Sequence, residues 1–385
     1  MRHAPRSLAL PGSPRRVALV AGGTAGHVYP ALEVARAYRH AVPDASVLFI
    51  SASGGFERLV PAGGYRLEMV PGAPLFGVGV AGKGLALARL LGGVRRARQL
   101  LRAERVQLVI GFGGYSSAGA LLAARTLGLH TAILESNAAP GLTNRLLGRL
   151  VDRVYLGCPA TSPTFAPMKT LLTGVPVRAQ ISQAGMRRRV RAVARRHVLV
   201  TGGSLGSPFL NQHAAELLGR LAERDVAVDV LHQAGACDLS AVIRSYERAG
   251  LSASVTPYID EMADAYAWAD FAICTAGAGT LAELAASGLP ALLVPFSGAS
   301  EDHQTANARA FAAASGVWWV REDDWRSDVL ARDVAHLMTH VDVWTAASQR
   351  LRELATLDAA SAVVADCEAA IDGRRAGVVA ERSGR

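Results

Sequence analysis

Residues Val17–His27 read VALVAGGTAGH, and residues Val198–Ser207 read VLVTGGSLGS. Each is a short apolar run rich in β-branched residues, then Gly-Gly-hydroxyl-x-Gly, then a helix-like pattern. A strand that is apolar without alternation is buried on both faces, as in a parallel sheet covered by helices. A glycine turn leading from such a strand into a helix is the βα unit of an open sheet, whose ligands sit beyond the strand carboxyl ends. The phrase occurs twice, so the chain is predicted to be α/β with two doubly wound, Rossmann-like domains. Further strand-like runs support the count: Ser46–Ile50, Val106–Ile110, His130–Leu134 and Arg153–Leu156 in the first half, with helical patterns such as Pro30–Arg39 and Ala118–Leu127 between them. In the second half the runs are Ala227–Leu231, Ser252–Thr256, Phe271–Cys274, Ala291–Val294 and Val317–Val320, alternating with helices near Asn211, Met262, Leu281 and Ala306.

The totals agree. A chain of 385 residues exceeds what one hydrophobic core usually serves. Cys158, Cys237, Cys274 and Cys367 show no Cys-x-x-Cys or Cys/His ligand spacing, so neither a disulfide framework nor a zinc site is signalled. The amino terminus lacks the long apolar stretch of a signal peptide and reads as a frayed tail. The most apolar window, Leu75–Val94, is interrupted by Lys83 and Arg89, so no membrane-spanning segment is expected. Charge is divided unevenly: up to Arg196 there are 27 Lys and Arg against 7 Asp and Glu, and beyond it 14 against 25. A basic half suits an anionic surface, lipid or nucleic acid alike. Six Arg within Arg187–Arg196 read as a linker and a solvated helix between the halves.

Neither glycine turn is G-x-G-x-x-G, and no acidic residue closes the second strand, which disfavours a nicotinamide dehydrogenase. The turns still bring backbone N–H groups and a hydroxyl to a helix start, where a phosphate or developing anion is attracted. His27 ends the first turn; an imidazole with an ordinary pKa of about 6.5 there could take a proton from a sugar hydroxyl, or merely bond nearby backbone. Glu283 follows the turn Ala276–Gly279 on an early helical position, where a carboxylate complements the helix dipole or accepts ribose hydroxyls.

Beyond these turns, an ordered series of motifs covers roughly residues 16–320: GGTAGHVYPALEVA (Gly22–Ala35), LVPAGGY (Leu59–Tyr65), GFGGYSSAGALLAA (Gly111–Ala124), ESNAAPGLTNR (Glu135–Arg145), TGVPVR (Thr173–Arg178), TGGSLG (Thr201–Gly206), YIDEMADAYAWAD (Tyr258–Asp270), AGAGTLAELAASGLPALLVPF (Ala276–Phe296) and DHQTANA (Asp302–Ala308). The series resembles the bacterial MurG family, UDP-N-acetylglucosamine:undecaprenyl-diphosphate-muramoyl-pentapeptide N-acetylglucosaminyltransferases.

The resemblance implies a GT-B architecture, two Rossmann-like domains facing a cleft. The first domain, 1–172, would take the lipid acceptor and face the membrane; the second, 173–345, would bind the UDP-sugar. A helix over 346–370 would return to the first domain, and 371–385 reads as a disordered tail. The donor site would comprise Ile259 at uracil through its backbone, Glu283 at the ribose hydroxyls, and Arg178 with Ser204 at the phosphates. Ala278, Gly279, Thr280, Leu281 and Ala282 would line the nucleotide, Gln304 and Asn137 would reach the N-acetylglucosamine, and Thr24, Ala25 and Gly26 would lie near the diphosphate. His27 and Glu135 are the catalytic candidates. No cofactor or metal is implied, because helix N-termini and Arg178 can meet the diphosphate charge.

Several positions depart from the family pattern: Leu134 and Ser136 flank Glu135, and Ala25, Leu205 and Thr275 replace a glycine, a glutamine and an arginine. They bear on donor-sugar and acceptor contacts. The expected partners are UDP-N-acetylglucosamine, the undecaprenyl-diphosphate-linked muramoyl-pentapeptide and an anionic membrane surface at the cytoplasmic face, met peripherally through Leu75, Phe76 and Leu85. Two other readings are a UDP-sugar transferase for another lipid or small hydrophobic acceptor, and a non-catalytic nucleic-acid-binding module. The latter leaves the acidic second half and the paired turns unexplained.

Overall fold

The structure, a computed structural model, describes residues 14–52, 55–72, 80–114, 116–187 and 195–383. The chain forms two compact units. One runs to Ser136, resumes over Pro140–Pro176 and takes in everything from Asp358; the other comprises Asn137–Ala139 and Val177–Leu357.

The first unit holds a parallel sheet of β1 (Arg16–Val20), β2 (Ser46–Ser51), β3 (Arg66–Met69), β4 (Leu108–Gly111), β5 (His130–Glu135), β6 (Arg153–Leu156) and β7 (Thr170–Leu172), in the order β3-β2-β1-β4-β5-β6-β7. The unbroken apolar run of β1 has a direct cause. Val17 and Leu19 enter one core with Val28, Ala31 and Ala35 of helix Ala25–Ala41. Ala18 and Val20 enter another with Leu100, Leu101 and Leu121, from helices Val80–Ala103 and Ser116–Thr126. Side chains alternate across a strand, so both faces are buried, each full-size side chain contributing about 1.5–3 kcal/mol.

The second unit repeats the plan with β8 (Arg196–Thr201), β9 (Val228–Gln233), β10 (Ser252–Thr256), β11 (Phe271–Cys274), β12 (Ala291–Leu293) and β13 (Trp318–Trp319), ordered β10-β9-β8-β11-β12-β13 and all parallel. In each sheet the order reverses beside the strand that carries a glycine turn, between β1 and β4 and between β8 and β11. That switch point is where open sheets bind ligands.

At the apolar segment expected to meet the membrane the backbone is helical from Val80, so Leu85 stands on a helix; its side chain, and Leu75 and Phe76 entirely, lie outside the described residues. Further along that helix, Gly93 meets a packing need: a Cβ there would come within 2.1 Å of the Pro71 carbonyl. Two expectations are corrected. The segment 346–370, read as one helix, is two. Val341–Glu353 belongs to the second unit, where Trp344 donates to the Asp270 carbonyl at 2.7 Å, and Ala359–Ser383 to the first. This last helix continues past Gly373, where a disordered tail was expected, because Ala and Arg propagate a helix across the isolated glycines Gly373 and Gly377.

The last helix is fastened to the first unit by polar contacts. Arg153 grips the Asp366 carboxylate with two nitrogens, which holds that carboxyl below its ordinary pKa; the Tyr155 hydroxyl donates to it at 2.9 Å and lies 3.0 Å from the Cys367 sulfur. Arg15 pairs with Glu368 and Asp372. Burial pushes the Cys367 thiol up to about 12, so it stays protonated in this core.

A buried histidine makes the second unit sensitive to acid. His232 on β9 is fully buried, bonded through Nδ1 to the Tyr246 hydroxyl at 2.9 Å, and burial lowers its pKa from 6.5 to about 4. The unfolded chain therefore binds the extra proton first. Stability present above pH 6.5 is lost as pH falls toward 4, by about 3 kcal/mol in total. Denaturant midpoints across that window should fall less steeply in His232→Gln; parallel curves for the two proteins would remove His232 as the cause.

Candidate active site

At the switch point of the first sheet, β1 ends in Gly22 and Gly23, whose φ of 84° is left-handed, and Thr24 caps helix Ala25–Ala41. Thr24 and Gly26 are exposed, whereas Ala25 is buried and offers a ligand only its backbone. The His27 ring turns back on the turn: Nδ1 lies 3.3 Å from the Gly22 carbonyl and 3.4 Å from the Thr24 hydroxyl. A carbonyl only accepts, so Nδ1–H donates in this contact, and the neutral ring then carries its lone pair on Nε2. Nε2 lies over the turn after β4. A Cβ on Gly113 would sit 2.9 Å from it and 3.7 Å from the Asn144 amide, and Gly113 has φ 103°, so no other residue fits.

Glu135 ends β5, is buried, and accepts from Asn144 Nδ2 at 2.8 Å. Asn144 is itself buried, and its Oδ1 has no hydrogen-bond partner among the described residues. The structure thus brings His27, Gly113, Asn144 and Glu135 together at the carboxyl ends of β1, β4 and β5. Asn144 was missed by sequence reading, although it lies within the quoted ESNAAPGLTNR. An Asn near the start of a helix is the ordinary residue of a cap, so its position alone carries no sign of a site.

In the second unit, Ser204 stands on the short helical turn Gly203–Leu205 after β8. Helix Ala278–Ser287 follows β11 with Gly277 as N-cap and no acidic residue in its first turn. The first intrahelical bond there is from Leu281 N–H to the Gly277 carbonyl, which leaves the N–H groups of Ala278, Gly279 and Thr280 at a positive helix end. Leu281 is buried in the core and offers no side chain to a ligand, while Ala282 is half-buried. Glu283 Oε1 accepts from Arg178 at 2.7 Å and Oε2 from the Tyr266 hydroxyl at 3.2 Å. Arg178 and Glu283 are both mostly buried, and the pairing of the candidate phosphate residue with the candidate ribose residue was not foreseen.

Two further positions are more constrained than expected. Gln304 Oε1 accepts from Ala276 N–H and Phe296 N–H, both at 3.0 Å, so only its amide NH2 can face a sugar. Asn137 Oδ1 accepts from Asn307 Nδ2 at 3.0 Å, and Asn307 Oδ1 accepts from Ala138 N–H at 2.8 Å. Ile259 gives its N–H to Gln233 Oε1 at 2.8 Å, and Gln233 Nε2 donates to the Gly203 carbonyl at 2.7 Å. Gln233, buried at the end of β9, ties the glycine turn to the Ile259 loop. Its place at the end of a strand reading VDVLHQ gave no sign of that.

Known proteins match along the same lines. Residues 17–156 match the glycosyltransferase family 28 N-terminal domain and residues 197–362 its C-terminal domain. A Geobacter sulfurreducens protein called UDP-N-acetylglucosamine–N-acetylmuramyl-(pentapeptide) pyrophosphoryl-undecaprenol N-acetylglucosamine transferase is 38% identical over 91% of this chain and 97% of its own length. A protein of the same name from Nitratidesulfovibrio vulgaris is 42% identical over 80% of this chain and 85% of its own. The crystal structure of Acinetobacter baumannii MurG superposes with a TM-score of 0.73 at 30% identity, covering 91% of this chain and 98% of that one. The calicheamicin glycosyltransferase CalG4, at 15% identity and a TM-score of 0.65, shares the GT-B fold alone. With both halves matched in order and the glycine turns at both switch points, the chain belongs to the MurG family of family 28 glycosyltransferases.

Proposed function

We propose that this enzyme transfers N-acetylglucosamine from UDP-N-acetylglucosamine to the 4-hydroxyl of the lipid-linked muramoyl-pentapeptide, converting lipid I to lipid II with inversion. The names of the relatives supply the substrate pair, and the observation that carries the chemistry is the His27 ring, held by Nδ1 with Nε2 over Gly113. In this reading Nε2 takes the proton from the acceptor hydroxyl as its oxygen attacks the anomeric carbon and the bond to the diphosphate oxygen breaks. Glu135 holds Asn144 beside that nitrogen. The second unit binds the donor. Glu283 takes the ribose hydroxyls, Ile259 the uracil through its carbonyl, and Ser204, Arg178 and the helix end at Ala278–Thr280 the diphosphate, whose charge grows as UDP departs. Thr24 and Gly26 border the donor sugar, and Gln304 and Asn137 contact it.

The purified chain, given UDP-N-acetylglucosamine and lipid-linked muramoyl-pentapeptide, should yield by mass spectrometry the acceptor plus one N-acetylhexosamine, with one UDP per transfer and a β-linkage. Turnover of a different lipid or small hydrophobic acceptor in its place would favour the other UDP-sugar transferase reading.

Peripheral contact with an anionic membrane at the cytoplasmic face is part of the same proposal. No helix among the described residues is long and apolar enough to cross a membrane. The support is the basic first half, the apolar Leu75, Phe76 and Leu85 before Arg89, Arg95, Arg96 and Arg98, and helix Leu142–Leu150, which exposes Leu146 and Leu150 beside Arg145 and Arg149. Apolar side chains rimmed by cations suit a headgroup layer, each Arg adding about 1 kcal/mol near an anionic surface. Replacing Leu75, Phe76 and Leu85 by Ser should release the protein from phosphatidylglycerol vesicles at any salt, whereas replacing Arg95, Arg96 and Arg98 should weaken binding mainly at low salt. Sedimentation with vesicles checks both, and undiminished binding of the Ser variant would move the contact elsewhere.

A further inference from the structure

Glu57 follows β2 in a short helical turn, Phe56–Arg58, and is only 4% exposed. Its Oε1 accepts from the Gly23 N–H at 2.8 Å and from the Ser51 hydroxyl at 2.9 Å, and its Oε2 is buried without a hydrogen-bond partner among the described residues. A carboxylate in that position is costly unless it serves the site. The turn is shaped around it: a Cβ on Gly22 would come 2.1 Å from the Ser51 oxygen and 2.7 Å from Glu57 Oε1, and one on Gly55 would come 2.8 Å from the Gly23 carbonyl.

The N–H that Glu57 accepts and the carbonyl that receives His27 Nδ1–H belong to one peptide group, that between Gly22 and Gly23. A peptide group is planar and conjugated. A carboxylate at its N–H end fixes the plane's orientation and draws electron density toward its oxygen, which strengthens that oxygen as an acceptor. We propose that Glu57 is a positioning residue for the transfer: through the Gly22–Gly23 peptide it holds the His27 ring in the Nδ1–H tautomer with Nε2 basic, the task an aspartate performs by direct contact in a Ser-His-Asp triad. Ser51 donates to the same carboxylate oxygen and packs against Gly22. This inference rests on His27 as the base, and the tests separate the two.

Glu57→Ala should lower kcat about ten- to hundredfold, the usual cost of removing a group that orients a ligand or base, while leaving the KM for UDP-N-acetylglucosamine near that of the parent. Glu57→Gln keeps an oxygen for Gly23 N–H and Ser51 and should recover most of the loss, and Ser51→Ala should leave kcat nearly unchanged. Independently of activity, 15N NMR of the His27 ring should show the Nδ1–H tautomer in the parent and in Glu57→Gln, and a mixture in Glu57→Ala. An unchanged ring spectrum in folded Glu57→Ala overturns the relay whatever kcat does. A changed spectrum with unchanged kcat upholds the relay and removes His27 as the base. Equal losses in all three variants, tracking their melting temperatures, would make Glu57 a support of the fold alone and sink the proposal.

Discussion

His27→Ala lowers kcat by about 10²–10⁴-fold, the range for losing a positioned general base, and leaves UDP binding as it was. The second half of that expectation follows from the division of the chain. His27 lies in the first unit, whereas Glu283, Arg178, Ser204 and Ile259 all lie in the second. Equilibrium titration with UDP and steady-state turnover with lipid-linked acceptor check the two halves separately. His27→Asn, which can still donate to the Gly22 carbonyl but offers no basic nitrogen, should be as slow as the alanine variant. Near-parental turnover in either variant would pass the proton to another group or to solvent.

Glu283→Ala raises the KM for UDP-N-acetylglucosamine about tenfold or more, since lost charge-assisted hydrogen bonds cost about 1.5–3 kcal/mol. The structure adds a second consequence, because Glu283 also holds Arg178 and the Tyr266 hydroxyl. Tyr266 is fully buried and its pKa is raised by that burial, so its proton stays in place and needs an acceptor. The alanine variant should therefore melt lower as well as bind weakly. Comparing UDP with 2′,3′-dideoxy-UDP isolates the ribose contact: the parent should prefer UDP, and Glu283→Ala should bind both alike. If the variant still discriminated between them, Glu283 would be a partner of Arg178 and not of the ribose.

Legibility in the sequence followed burial. The central strands β1, β4, β8 and β11 are buried on both faces, so their runs announced themselves. The edge strands of the first sheet did not: β3, reading RLEM, and β7, reading TLL, are short and half-exposed, and nothing in three or four mixed residues separates a strand from a loop, whereas the edges of the second sheet, β10 and β13, were legible as Ser252–Thr256 and within Val317–Val320. The glycine turns were legible because a special backbone needs a special residue. Glu57 and Gln233 were not, because each looks like an ordinary surface side chain until a partner distant in sequence buries it. Gly23 lies 34 positions from Glu57, and Gly203 lies 30 from Gln233. The pairing of Arg178 with Glu283 spans 105 positions and could be read only from the folded chain.

The helix Ala359–Ser383 has a bearing on how the protein comes to exist. Arg15, Tyr155 and Arg153 are translated before the second unit, but the residues that engage them, Glu368, Cys367 and Asp366, are translated after it. The first unit is thus finished after the second, which is an uninterrupted stretch but for Asn137–Ala139. A nascent chain stalled before residue 358 would present a closed second unit and an open first one, with the face of helix Ala25–Ala41 that packs against the last helix uncovered. Such an intermediate is the form on which a chaperone or a protease would act.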